Sequence, residues 1–290
     1  MAQRFLGKAA VLLWMAFISP HLGLAAEKIP VFVSIAPQKY FVEQIGGEFV
    51  DVRVMVEPGA SPATYEPSPG QMAGLSRARI YFSIGVPFEN AWLEKIAAAN
   101  PGMGVVRTDL EIRKAPMESH HDHGGNHEGI LDPHTWLAPP LVKLQARAIL
   151  EALQETDPAR HGEYQAGHDE FVRRVDELDA HLRSLFAGKE GLRFLVFHPA
   201  WGYFARAYGL QQVPIEMEGK HPKPSQLKEL IASARSKDFR VVFVQPQFST
   251  RSAEVIAREI QGEVAFADPL AEDWEANLRR VAEKFEKALR

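Results

Sequence analysis

The amino-acid sequence predicts an α/β protein of two small lobes joined by one long, rigid helix. Three observations carry that reading. Short β-branched and aromatic runs alternate with helical segments in both halves of the chain, as in layered α/β folds. Between the halves, apolar residues recur at spacings of four and three, the period of one buried helix face. A length of 290 residues with 46% hydrophobic content is enough for roughly two cores.

Residues 1–26 stand apart. Arg4 and Lys8 precede the apolar run "AAVLLWMAFI", and small residues follow in "LGLAA". This is the pattern of a secretory signal peptide, with cleavage expected near Ala25 or Ala26. A retained membrane anchor is the competing reading, but the run is short for a bilayer and is interrupted by Ser19, Pro20 and His21. The chain has no cysteine, which excludes disulfides, thiolate ligands and the lipid-bearing residue of a bacterial lipoprotein. The expectation is a periplasmic, monomeric protein with a cleaved signal peptide, not a lipoprotein. A net charge of -4 without a Lys/Arg run argues against nucleic acid as a partner.

The N-terminal lobe is expected over 27–135. "VFVSIAP" at 31–37 reads as a buried strand, "DVRVMV" at 51–56 alternates, and "RIYFSIG" at 79–85 supplies a third strand. Helices are expected in "PGQMAGLSRA" from 69 and "FENAWLEKIAAA" from 88. The stretch 114–129 is polar, contains Gly and His and lacks periodicity, so it reads as a loop.

Linking helices are expected over 136–188. Tyr164, His168, Phe171, Val175, Leu178, Leu182 and Leu185 form one stripe between Pro158 and Gly188, about eight turns long. His168 lies in that stripe and His181 beside it, so both read as structural rather than metal-binding.

The C-terminal lobe is expected over 189–290. "RFLVFHP", "QVPIEM", "RVVFVQP" and "EVAFADP" are its strand candidates. "AWGYFARAYG", "PSQLKELIASARSK", "STRSAEVIAREIQ" and "EDWEANLRRVAEKFEKAL" are its helices. Two α/β lobes on one helix make the cleft between them the natural binding place.

Ligands of doubly wound sheets gather at the carboxyl ends of strands. His198 in "VFHP" and Asp268 in "AFADP" occupy such positions, and His134 in "DPHTW" ends the polar loop before a helix expected near Pro139 or Pro140. Two imidazoles and a carboxylate are a plausible set for a divalent ion such as Zn²⁺. A capping aspartate and two unrelated histidines would look the same, since no compact motif joins them.

Six ordered blocks go further: "GASPATYEPSPGQ", "DPHTWLAPP", "FHPAWGYFARAYGL", "EGKHPKPSQLKELI", "FVQPQFSTRSAEVIA" and "ADPL". Together they resemble the periplasmic zinc and manganese solute-binding proteins of ABC transporters, cluster A-I, of the zinc-uptake type. The resemblance covers nearly all of the chain after residue 26. It implies one metal ion in the interlobe cleft, held by His134, His198 and Asp268, and delivery to an ABC permease in the inner membrane.

The chain departs from the family at one point. Where the family usually carries a histidine in a "P-H-x-Y/F-E-P" segment, this sequence has Ala63 in "PATYEP". A methyl group cannot bind metal. Glu66, the Tyr65 phenolate, water, or one of His120, His121, His123 and His127 could take that place, with Glu216 and Glu218 weaker candidates. Those four loop histidines stand where zinc-binding members carry a His-containing collector loop, and clustered histidines are a compositional metal signal. Imidazole suits Zn²⁺ better than Mn²⁺, so zinc is the expected cargo.

Two other functions fit part of the pattern. A zinc-dependent hydrolase would use the same ligands, but the sequence has neither an "HExxH" helix nor a "GxSxG" elbow. A metal buffer or chaperone of the same fold would need only weak binding.

Overall fold

The computed structural model describes residues 27–117, 130–216 and 224–289. The expected signal peptide, Glu218 and the histidines at 120, 121, 123 and 127 lie outside the described residues.

Strands β1 (Ile29–Val33), β2 (Val50–Val54), β3 (Ile80–Ser83) and β4 (Gly104–Arg107) form one parallel sheet in the order β2-β1-β3-β4. Val31 of β1 pairs with Val52 on one side and Ile80 on the other. Such a strand is covered on both faces, which is why its residues run apolar instead of alternating. The sequence reading missed β4, whose four residues "GVVR" are mostly exposed at the sheet edge and carry little hydrophobic signal.

The second lobe repeats the pattern. β5 (Arg193–Val196), β6 (Gln211–Pro214), β7 (Val241–Val244) and β8 (Glu263–Phe266) are parallel in the order β6-β5-β7-β8. From β5 the chain runs out to β6 on one side and then to β7 on the other. The crevice beyond the carboxyl ends of β5 and β7 is therefore a topological switch point, the place where such sheets hold ligands.

The helices are α1 (Ala36–Gly46), α2 (Pro69–Gly74), α3 (Glu89–Ala99), α4 (Pro139–Thr156), α5 (His161–Phe186), α6 (Gly202–Ala207), α7 (Pro224–Ser236), α8 (Arg251–Glu259) and α9 (Trp274–Ala288). The 26 residues of α5 give a rod about 39 Å long. Pro158–Arg160 forms a separate 3₁₀ turn, so α5 is about seven turns rather than the expected eight. Tyr164, Phe171, Val175, Leu178, Leu182 and Phe186 are its buried face. Leu185 is half-buried and Phe186 takes the last core position instead. His168 pairs with Asp169 at 3.0 Å and His181 is exposed.

The lobes share one continuous hydrophobic core through α5 and α9. Phe41 of α1 meets Trp274 of α9 edge-on at 5.1 Å, and Phe171 of α5 lies 5.6 Å from Phe41. A polar clamp lies beside these rings. Arg174 donates to Glu275 at 2.6 Å and to Gln44 at 2.7 Å, and also bonds Tyr40. One guanidinium on α5 thus ties α1 to α9. Gly167 permits this packing, because a Cβ there would stand 2.4 Å from the Ile45 carbonyl oxygen.

Candidate metal centre

The carboxyl end of β5 carries His198, and the segment before α4 carries His134. Their rings meet with centroids 5.2 Å apart and planes at 72°. Each is held from behind by a buried carboxylate. His134 Nδ1 lies 2.8 Å from Asp132 Oδ1, which also accepts the backbone N–H of His134 at 3.0 Å. His198 Nδ1 lies 2.7 Å from Glu216 Oε2. With Nδ1–H directed at a carboxylate, each imidazole leaves its Nε2 lone pair for a ligand, the arrangement common to metal-binding histidines.

Local sequence explains the first of these pairs. Asp132 stands two residues before His134 with Pro133 between, so one carboxylate reaches both the backbone N–H and the ring, an Asx-type turn. The second pair needs the sheet. β5 and β6 run in parallel, and their ends bring His198 and Glu216 together. Sequence reasoning did not find Asp132, although the "DPH" spacing carried the signal, and it weighed Glu216 only as a ligand.

The segment bearing His134 is held by the C-terminal lobe. Tyr203 of α6 donates its hydroxyl to the Asp132 carbonyl at 3.1 Å and accepts the Ala115 N–H at 2.9 Å. Arg206 on the same helix stands 3.6 Å from Asp132 Oδ2. His134 was expected to belong to the first lobe; its segment is also tied to the 115–117 stretch, through the Pro116–Leu131 bridge and the Asp132 N–H on the Ala115 carbonyl at 2.8 Å, so both sides hold it.

Both rings line one cleft. Trp136, Phe248 and Leu270 make much of its wall apolar, and Phe248 stacks on His198 at 5.3 Å. From the N-terminal lobe come Ser61, Pro62, Ala63, Val86 and Pro87, none of which carries an ionisable group. Burial lowers the pKa of His134 below the ordinary imidazole value of 6.5, against the opposing pull of Asp132. The ring is neutral at physiological pH, which is its metal-binding form.

The remaining expected residues stand apart from this pair. Asp268 lines a neighbouring recess that shares Gln247 and Leu270 with the main cleft. Its Oδ1 accepts from Gln247 Nε2 at 3.0 Å and from the Leu270 N–H at 2.9 Å. Glu66 is exposed and is not among the cleft residues, and the Tyr65 hydroxyl donates to Gln71 at 2.7 Å. Among the described residues, no three His, Asp or Glu side chains converge closely enough to hold an ion together.

Two parallel α/β lobes on one long helix, with paired, carboxylate-backed imidazoles in the cleft, define the helix-linked class of solute-binding proteins. A crystal structure of ZnuA superposes with a TM-score of 0.86 at 43% identity, covering 91% of this chain and 100% of that one. A ZnuA deletion mutant with zinc bound gives 0.84 and 42%, covering 91% and 98%. The high-affinity zinc uptake system protein ZnuA of Bacillus subtilis (strain 168) is 26% identical over 246 residues, 81% of this chain and 76% of that protein. The chain belongs to the ZnuA family, zinc-uptake complex component A periplasmic, whose model matches residues 31–288. It is a non-enzymatic binding component of metal transport, not a hydrolase. No helix among the described residues is long and apolar enough to cross a membrane.

Proposed function

We propose that this chain captures Zn²⁺, in preference to Mn²⁺, in the periplasm and delivers it to an ABC permease of the inner membrane. The observation that carries this reading is the pair His134 and His198, 5.2 Å apart with both Nδ1 atoms engaged by carboxylates. Two nitrogen donors suit zinc better than manganese, which favours oxygen. Asp268 is kept as the third ligand on the family resemblance alone, since in this structure it lies in the neighbouring recess with its Oδ1 engaged, and the protein acts as a monomer exported on a cleaved signal peptide and free of lipid. Residues 27–135 and 189–290 form the lobes and 136–188 the link.

Ala63 leaves that position in the cleft wall without an imidazole or carboxylate, so a further group completes the coordination. A competitive Zn²⁺ titration of the chain from residue 27, beside His198→Ala and a variant lacking residues 119–129, tests the reading. Tight binding that His198→Ala abolishes supports it. Tight binding indifferent to His198→Ala removes the cleft from consideration. Loss of tight binding in the deletion variant, with its fold intact, assigns one of His120, His121, His123 or His127 to the primary site; survival makes the loop an accessory collector.

A further inference from the structure

Gln245 follows β7 directly, as His198 follows β5 two residues after its last paired position, so both stand at the switch point of the second sheet. It is 2% exposed, and no hydrogen-bond donor reaches its Oε1 among the described residues. An unpaired buried amide oxygen is destabilising and calls for an explanation. Asp132 Oδ2 and Gln145 Oε1 share that condition, but of the three residues only Gln245 lines the cleft.

The orientation of the amide is set by its other branch. Gln245 Nε2 donates to the His198 carbonyl at 3.1 Å, which identifies the nitrogen and leaves the oxygen on the opposite side. A flip would place two oxygens against each other. Gln245 therefore offers an acceptor, and only an acceptor, just beneath the wall that carries His134 and His198. Across the cleft, Ala63 offers a methyl group.

We infer that Gln245 is a positioning residue of the metal site: its Oε1 accepts a hydrogen bond from a water molecule bound to the ion, the water supplying the coordination that Ala63 cannot. The inference rests on the cleft being the metal site. Zinc readily combines three protein ligands with one water. A metal-bound water is more acidic than bulk water and so a stronger donor. Groups placed to orient such ligands typically alter metal affinity 10- to 100-fold when removed.

The test compares Gln245→Met with Gln245→Glu, because both lose the Nε2 donor to the His198 carbonyl but only the glutamate keeps an acceptor. Zn²⁺ is titrated against a chromophoric chelator in the wild-type chain, both variants and His198→Ala. The expected result is affinity weakened about tenfold or more in Gln245→Met and held within about threefold in Gln245→Glu. Equal weakening in both would reduce Gln245 to an anchor of the His198 loop, and unchanged affinity in both would remove it from the site; either outcome overturns the inference. If His198→Ala binds as the wild type does, the cleft reading itself fails. If His198→Ala weakens binding while both Gln245 variants do not, only the inference fails. Should Gln245→Met not fold, the Co²⁺-loaded wild type and Gln245→Glu decide the matter by visible absorption. A carboxylate beside the bound water moves its alkaline transition up by on the order of one pH unit; an unmoved transition overturns the inference.

Discussion

The indole Nε1 of Trp136 donates to the carbonyl oxygen of Pro269 at 2.7 Å, joining the "DPHTW" segment to the "ADPL" segment. Trp274 Nε1 donates in turn to the Trp136 carbonyl at 2.7 Å. Both indoles are buried, so these bonds set how the residues beside them face the cleft. Trp136→Phe removes the donor and leaves a buried carbonyl unpaired, a cost of about 1–3 kcal/mol. Thermal unfolding should show that loss together with weaker zinc binding. A variant unchanged in both would mean that the bond does not position the site.

Asp132 should matter to metal binding without touching metal. Asp132→Asn keeps an oxygen for the His134 N–H but removes the charge that orients the ring and raises its basicity. The expected loss is about 10- to 100-fold in zinc affinity. Isothermal titration would read it, and an unchanged constant would place His134 outside the binding set.

Acid should release the metal and weaken the fold through the same residue. Burial lowers the folded pKa of His134 below 6.5, despite Asp132. At pH values between the two, the unfolded chain binds more protons than the folded one, so stability rises with pH and is lost as pH falls below the unfolded value. Zinc binding needs the neutral ring as well. For the His134 contribution, affinity should stay flat from pH 8 down past 6.5 and fall only as pH drops through the lower folded value. A titration series in pH checks this against His134→Ala, whose residual binding should lack that component.

Gly167 tests the packing of α5 on α1. Alanine favours a helix by about 0.8–1 kcal/mol over glycine. Here its methyl would meet the backbone oxygen of Ile45 at 2.4 Å, so α1 or α5 must shift. Overpacking of this kind costs about 1–3 kcal/mol, and the net effect of Gly167→Ala should be a lower midpoint in urea. A raised midpoint would show that the helices separate without penalty.

Arg174→Met tests the interlobe clamp. The carboxylate of Glu275 would be raised by burial alone, but its hydrogen bond to Arg174 and the nearby positive charges hold it below 4.5. Stability from this pair is present above the unfolded value of 4.5 and lost as pH falls through the folded value. The variant should lose about 1–3 kcal/mol at neutral pH, as for a hydrogen bond to a charged group. The difference from wild type should shrink toward pH 3, and denaturant unfolding at both pH values measures it.

How much of this was legible in the residues varies by element. β1, β3, β5 and β7 announced themselves because a central parallel strand must be apolar on both faces. β4 did not, since an exposed edge of four residues leaves no pattern. His198 was found from the proline-stopped strand it follows, and His134 was found with the help of family resemblance. Asp132 was overlooked although it is local, because an Asp-Pro pair reads first as a turn.

The sequence by itself determined the two α/β lobes, the long helix and the strand-end histidines. Each follows from period and propensity over a few residues, where backbone geometry is the only constraint. Tertiary structure alone decided that Tyr203 and Arg206 reach Asp132 beside His134, that Glu216 backs His198, and that no donor among the described residues reaches the buried Gln245 Oε1. Those are meetings of polar atoms distant along the chain. Their partners are chosen by how the lobes close around α5 and by the cost of burying a polar atom unpaired, neither of which has a local periodicity to read.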